Sequence, residues 1–164
     1  MIENAHERRL SASPEVVGDL VDSLASGDDR LWPHRRWPPM RLDNGLTPGS
    51  RGGHGPVRYE VARYEPGRLA AFAFTPDFGI VGEHRCEVID GANGTTLLRH
   101  TLEGRPTGWM RLGWPLCFRW LHDALIEDAL DRAQAQVEEE RWSPSSLPSH
   151  VRLLRWIAGR ARAG

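Results

Sequence analysis

The chain has no lysine, since arginine supplies all 21 of its basic residues. A Schiff-base lysine and a phosphate-binding P-loop lysine are therefore both excluded, which removes lysine-aldolase chemistry and Walker-type nucleotide hydrolysis. The basic residues are balanced by 22 Asp and Glu residues, for a formal net charge of −1. A near-neutral chain lacks the basic surface of a general nucleic-acid-binding protein, so no nucleic-acid partner is expected.

Cysteine is also scarce. Cys86 and Cys117 are the only two and form no CxxC pair, which predicts buried free thiols rather than a disulfide scaffold. No apolar run approaches the roughly 20 residues of a membrane span, and the charged residues 1–10 lack the apolar stretch of a secretory signal. We therefore expect a cytoplasmic protein, whose 164 residues suit one domain with a core of its own.

The first third of the chain contains one clear helix signal. Residues 6–11 are predicted to form a short strand, and a helix is predicted over residues 14–25. Ser13 can cap that helix, Pro14 suits its first position, and Gly27 is a stop signal.

The next segment, residues 28–56, holds five prolines and five glycines, so little regular helix is expected there. It also carries Trp32, Trp37, Met40 and Leu42, which are large apolar side chains for an exposed loop. The composition indicates a loop packed onto the rest of the protein, with a lid over a cavity as the functional alternative.

Four strands joined by short turns follow at residues 57–64, 69–75, 80–89 and 95–103. Period-two alternation places apolar side chains on one face of these strands and charged side chains on the other. This pattern is expected when one side of an antiparallel sheet is covered.

The last long element is predicted to run from after Pro106 to about Trp142, with Pro115 as a kink or as the start of regular helix. Its acids, at residues 123, 127, 131 and 138–140, lie outside its apolar stripe and are expected to face solvent. Residues 143–148 then break the helix, and residues 150–164 form a basic amphipathic tail. We therefore divide the chain into a domain at 1–142 and an appendage at 143–164.

Four stretches carry a resemblance to a known family: RGGHGPVRY at 51–59, YEPGR at 64–68, LRH at 98–100 and LHDALIEDALD at 121–131. Over residues 6–140 the chain resembles the START-like, or SRPBCC, superfamily, which includes the polyketide cyclase/dehydrase-like branch of bacteria and the birch-pollen-allergen-like proteins. The resemblance implies an α+β helix-grip fold, in which a curved antiparallel sheet wraps around a long C-terminal helix with a cavity between them. It also implies a small apolar or amphipathic ligand. No catalytic set is shared across the superfamily, so none is carried over.

His84 and His100 are the sharpest candidates for chemistry. If the loop after Asp90 is centred on Ala92, the two histidines lie directly opposite each other on the apolar face. They are interpreted as buried structural residues, as polar groups that contact a ligand, or as a metal pair that takes a third ligand from His54, Cys86 or Glu103. We expect no metal and no cofactor.

His122 and Asp123 are a second pair, but adjacent residues on a helix do not face each other. The simpler interpretation of this pair is a solvated acidic face. The residues predicted to contact a ligand are Tyr59, Phe72, Phe74, His84, His100, Trp114, Leu121 and Leu125.

Three functions remain open from the sequence. The first is binding of a small apolar or aromatic, lipid- or polyketide-like molecule in the cavity. The second is a cyclase or dehydratase activity in which His84 and His100 act as acid and base. The third is docking on a membrane surface or a protein through residues 150–164. A homodimer is also left open.

Overall fold

The computed structural model describes the backbone of residues 1–160 and the side chains through residue 157. The predicted apolar position Ala161 and the basic residue Arg162 lie outside the described residues. The described part forms seven strands and four helices: β1 (Ile2–Leu10), α1 (Pro14–Asp22), β2 (Arg41–Leu42), β3 (Arg51–His54), β4 (Val57–Glu65), β5 (Leu69–Phe74), β6 (Ile80–Asp90), β7 (Thr96–Pro106), α2 (Met110–Gly113), α3 (Arg119–Val137) and α4 (Ser149–Arg160). A π-helical turn, Trp114–Phe118, joins α2 to α3 at the position of Pro115.

The strands form one antiparallel sheet in the order β1-β7-β6-β5-β4-β3-β2. The long helix packs on one face of this sheet, so the predicted α+β helix-grip architecture is confirmed. The opposite face carries ion pairs such as Arg85 with Glu103 at 3.2 Å and Arg63 with Glu83 at 2.9 Å. The prediction of one apolar and one charged face is therefore correct for the central strands.

Three predicted boundaries are wrong, and one of them is the end of the long helix, which lies at Val137 instead of about Trp142. Strand β1 begins at Ile2 instead of residue 6, because its pairing with β7 extends from Leu10 back to Ile2. Helix α1 ends at Asp22 instead of residue 25. Ala25 has a left-handed φ of 59°, and its backbone N–H donates to the Asp29 carboxylate at 2.9 Å.

The acids at 138–140 are exposed, as predicted, but the prediction is wrong for Asp123, which is 25% exposed, and incomplete for Glu127 and Asp131, which are half exposed at most. These last three acids meet the polar side chains of β1: Asn4 donates to Asp123 at 2.9 Å, and Arg8 donates to Asp131 at 2.7 Å and to Glu127 at 3.1 Å. We call these contacts, with those of His6, the polar row. Four residues of helix rise about 6.0 Å and two residues of strand about 6.6 Å, so every fourth residue of α3 meets every second residue of β1.

A buried carboxylate fastens residues 28–56 to the long helix. Asp128 is 3% exposed and accepts hydrogen bonds from Arg36 at 2.8 Å and from the Trp37 indole at 2.7 Å. Arg132, one helical turn further on, donates to the backbone oxygens of Trp32 and Asp29. The expectation that this segment packs onto the rest of the protein is therefore met.

Helix α4 packs against the same segment. Val151 is buried, and the Arg155 guanidinium lies 4.7 Å from the centre of the Trp37 ring and donates to the backbone oxygen of Arg36 at 2.6 Å. Ile157, predicted on the apolar side of the tail, is half exposed. None of the described helices combines the length and the apolar character needed to cross a membrane.

Replacing Asp128 with alanine is expected to destabilise the fold by about 3 kcal/mol, because it leaves the Arg36 charge and the Trp37 N–H partly buried without their acceptor. Urea unfolding followed by circular dichroism measures this loss. Glu140→Ala, an exposed acid just beyond the same helix, is the control and should change stability by less than about 0.5 kcal/mol. Equal stability of the two variants would contradict the anchoring role of Asp128.

Candidate functional site

A cavity of about 640 Å³ lies between the sheet and the first part of the long helix. The buried residues of α3 all fall between Leu125 and Ala133, so only that part of the helix packs closely on the core. The earlier part, from Trp114 to Leu125, lines the cavity. The cavity is lined mainly by aromatic, aliphatic and imidazole side chains, with two arginines. They include Trp32, Arg36, Trp37, His54, Phe74, Phe78, His84, His100, Trp114, Cys117, Phe118, Leu121, His122, Leu125 and Arg155.

Aromatic side chains make up much of the apolar wall. Phe74 stacks on Phe78 with ring centres 5.3 Å apart, and Phe78 meets Phe118 edge-on at 5.7 Å. Trp37 comes from the segment fastened by Asp128, and Trp114 begins the π-helical turn. Strands, helix and covering segment therefore each contribute to one apolar space.

His84 and His100 meet, but not in the predicted register. His84 pairs with Leu102 and Cys86 pairs with His100, so the register is displaced by two residues. The loop after Asp90 is centred on Asn93, whose φ of 58° turns the chain one residue later than expected. A shift of two residues keeps both side chains on the same face. His100 Nε2 consequently lies 3.3 Å from His84 Nδ1.

These two imidazoles belong to a longer row. The His100 and His122 rings have centres 5.1 Å apart, and those of His122 and His6 are 6.2 Å apart. His6 is the last of these imidazoles and also belongs to the polar row between β1 and α3. Its Nδ1 lies 2.6 Å from Glu127 and its Nε2 lies 3.2 Å from Asp123. Four imidazoles thus connect the cavity with the edge of the sheet.

The histidines at the two ends of this row of four imidazoles have pKa values shifted in opposite directions. Burial lowers the pKa of His84 and of His100 well below the usual value, and neighbouring histidines lower it further. Burial also lowers the pKa of His122, although Asp123 opposes this shift. Hydrogen bonding to Asp123 raises the pKa of His6 in spite of its partial burial. The pKa shifts therefore disfavour protonation of His84, His100 and His122 at the cavity and favour it at His6.

Several polar atoms at the cavity have no hydrogen-bond partner among the described residues. They are His84 Nε2, His100 Nδ1 and both ring nitrogens of His122. A buried polar atom without a partner costs about 1–3 kcal/mol, so such atoms call for a ligand or water to pair with them. Neutral imidazoles can donate at one nitrogen and accept at the other.

The structure places six of the eight predicted ligand-contacting residues on the cavity wall: Phe74, His84, His100, Trp114, Leu121 and Leu125. Tyr59 and Phe72 are fully buried behind that wall, with ring centres 4.9 and 5.0 Å from the His84 ring. Trp32 and Trp37 from the covering segment line the cavity as well, as the lid hypothesis proposes.

The sequence did not single out His54, His122, Phe78, Phe118 or the two arginines, Arg36 and Arg155, as cavity residues. His122 was interpreted as part of a solvated face, and its side chain is instead largely buried. Its position three residues before the buried Leu125 was the available signal, since residues three apart share a helix face.

The structure also shows where the two cysteines lie and where Glu103, one of the predicted alternatives for a third metal ligand, lies. Cys86 and Cys117 are both free thiols, as expected, but only partly buried. Glu103 lies on the charged face, bound to Arg85, and does not join His84 and His100.

A fold in which a sheet holds a long helix over an apolar cavity defines the class of helix-grip proteins. Comparison with solved structures confirms this class. CalU16 from Micromonospora echinospora is similar with a TM-score of 0.59 and 16% identity, covering 98% of this chain and 86% of its own. A norcoclaurine synthase point mutant from Thalictrum flavum, in complex with a transition-state analogue, has a TM-score of 0.61 and 14% identity, covering 84% and 94%.

The Aha1 dimer from Colwellia psychrerythraea has a TM-score of 0.59 and 13% identity, covering 87% of this chain and 100% of its own. The chain matches no protein-family model and no curated protein sequence. At these identities the solved structures show the helix-grip fold that the sequence resemblance implied.

The depressed pKa of His84 predicts acid sensitivity. The folded protein holds His84 neutral, whereas the unfolded chain protonates it near pH 6.5. Its contribution to stability is therefore complete above pH 6.5 and is lost as the pH falls. We expect His84→Leu to flatten the fall in unfolding free energy between pH 6 and pH 5, by up to about 1.4 kcal/mol per pH unit.

Urea unfolding at a series of pH values measures that slope. The exposed His150→Gln variant is the control and should keep the slope of the unchanged protein. A slope unaffected by His84→Leu would show that His84 titrates normally in the folded state.

Proposed function

We propose that the chain binds a small, largely apolar molecule, aromatic or polyketide-like, in the cavity between its sheet and its long helix. The observation that carries this proposal is the set of unpartnered imidazole atoms of His84, His100 and His122 on a largely apolar wall. Apolar surface provides affinity, and His84, His100 and His122 fix the orientation of one polar group of the ligand.

The size of the cavity supports this proposal. At about 640 Å³ it falls within the range of roughly 300–1,000 Å³ typical of small-molecule sites. A charged ligand group is disfavoured beside His84 and His100, because these imidazoles stay neutral and cannot balance an anion. A hydroxyl, carbonyl or amine group suits them, since a neutral imidazole can donate to it or accept from it.

The comparisons support occupancy of this kind of space by a small molecule. The norcoclaurine synthase structure contains a transition-state analogue, so a protein with this fold accommodates a small organic compound. The two chains share 14% identity, and the likeness therefore supports the fold and not a particular ligand.

Filling the cavity is expected to abolish binding. Aminoanthracene, an aromatic fluorophore with one polar group, is expected to bind once per chain with increased emission. Leu121→Trp places a larger side chain in the cavity and should weaken binding at least ten-fold. Leu116→Trp adds the same side chain at a position 69% exposed and should have little effect. Equal binding by both variants would contradict the cavity site.

The same side chains support an alternative, a cyclase or dehydratase activity. His84 and His100 are neutral and in contact, so one could accept a proton and the other donate one to a bound substrate. Chemical conversion of a bound polyketide-like compound, lost in the double variant His84→Leu/His100→Leu while binding persists, would favour the enzyme over the carrier.

A different observation favours a second candidate function, docking on an anionic lipid surface. Seven of the ten exposed large apolar side chains in the described part lie just before or on α2, on the following π-helical turn, at the start of α3, or on α4: Trp109, Leu112, Leu116, Trp120, Leu153, Trp156 and Ile157. The two groups meet where Trp120 packs edge-on against His150. We call them the exposed apolar surface.

The charge around the exposed apolar surface suits an anionic bilayer. Residues 104–122 and 141–157 contain six arginines and no acid. Tryptophan and leucine between arginines are typical of segments that lie in the interface of a membrane. Basic residues near such a surface add about 1 kcal/mol each with anionic lipids.

Vesicle sedimentation tests this second function. The chain should sediment with phosphatidylglycerol-containing vesicles and less with phosphatidylcholine alone, and salt should weaken binding. The triple variant Trp109→Ser/Leu112→Ser/Leu116→Ser should reduce binding at least ten-fold, whereas Val81→Ser, 56% exposed on β6, should not. Failure to sediment, or loss of a dimer in the triple variant, would assign the surface to a partner protein or a second copy instead.

A further inference from the structure

Three side chains of types that bind metal ions converge beside the cavity. They do not include His84 and His100, the pair that the sequence singles out. Donor atoms of His6, His122 and Asp123 lie within 4.8 Å of one another, and this is the sole such group of His, Cys, Asp and Glu among the described residues. His6 comes from β1, and the other two come from α3. Sequence spacing could not reveal this group, because His6 and Asp123 are 117 residues apart.

The spacing of the donor atoms matches that of metal ligands. His6 Nε2 lies 3.2 Å from Asp123 Oδ1, and His122 Nδ1 lies 3.7 Å from the same oxygen. Tetrahedral ligands at 2.0–2.2 Å from a zinc ion are separated by about 3.3–3.6 Å. Both distances to Asp123 Oδ1 are close to that spacing, and the donor atoms of the two histidines lie within 4.8 Å of each other.

The surrounding groups orient the three ligands. Glu127 Oε1 lies 2.6 Å from His6 Nδ1, so the carboxylate holds the ring with its Nε2 directed at Asp123. Asn4 donates to Asp123 Oδ1 at 2.9 Å. A metal-binding histidine in proteins usually donates its second N–H to a carboxylate or carbonyl, and a ligating carboxylate is itself hydrogen-bonded.

His122 supplies the strongest independent sign. Both of its ring nitrogens lack a hydrogen-bond partner among the described residues, although the side chain is largely buried. The polar row explains why His6 and Asp123 are present, since they pair with each other. It leaves His122 Nδ1 3.7 Å from Asp123, beyond hydrogen-bond distance, whereas a metal ion between the two would coordinate both.

We infer that His6, His122 and Asp123 form a binding site for a divalent transition-metal ion of the zinc type. Two imidazoles and one carboxylate leave a further coordination position, as in zinc sites that bind water or substrate. His122 also lines the cavity, so the ion would lie at the cavity wall, within reach of a polar ligand group. This inference does not depend on the proposed ligand.

Metal binding is tested with the full chain after treatment with a chelator. Titration with Zn²⁺ against a chromophoric competitor should show one tightly bound ion per chain, and Co²⁺ should give the visible absorption of a tetrahedral site. His122→Ala removes one proposed ligand and should weaken Zn²⁺ binding at least 100-fold. Glu127→Gln should weaken it 10- to 100-fold, because the carboxylate orients His6.

Two histidine variants serve as matched controls. His100→Ala removes a buried imidazole next to His122, and His150→Ala removes an exposed one; each should change Zn²⁺ affinity less than two-fold. If His122→Ala does not fold, Glu127→Gln decides the question. Absence of stoichiometric Zn²⁺ binding, or full affinity in both ligand-site variants, would show that His6 and Asp123 form an ion pair only.

Discussion

The contact between strand β1 and helix α3 determines where the long helix lies. Asn4, His6 and Arg8 meet carboxylates spaced four residues apart on α3, and the similar repeats of strand and helix keep each partner in step along their length. This polar row fixes the helix at one edge of the sheet, and the apolar residues from Leu125 to Ala133 hold it to the core. The rest of the structure depends on this arrangement, because the preceding part of the helix remains above the sheet and the space beneath it is the cavity.

The cavity and the polar row are connected electrostatically. Burial lowers the pKa of His84, His100 and His122, while hydrogen bonds to the carboxylates of the polar row raise the pKa of His6. The protein thus has a largely apolar space lined by His84, His100 and His122, with the guanidinium groups of Arg36 and Arg155 also on its wall. The covering segment is fixed to the same helix through Asp128, so walls and cover share one support.

Much of the fold could be predicted from the sequence, because strand alternation and turn residues are local signals. The prediction that His84 and His100 share one face of the sheet depends only on whether their register is shifted by an even or an odd number of residues. The register is displaced by two residues, so the prediction holds. The partners of the α3 acids could not be predicted. A row of acids on a helix looks the same in sequence whether it faces water or a strand more than 100 residues away, as Asp123 faces His6. For the same reason His122, which links the cavity to the polar row, was interpreted as a surface residue.

Native mass spectrometry of the purified protein, followed by extraction under denaturing conditions, tests the cavity most directly. The expected result is one small, mainly apolar molecule per chain, either retained from purification or acquired from an excess of an aromatic compound with one polar group. The retained molecule should be displaced from the unchanged protein by such a compound and absent from a variant with a filled cavity. A chain whose mass remains that of the protein alone, even in excess ligand, would contradict the conclusion that this space is a binding site.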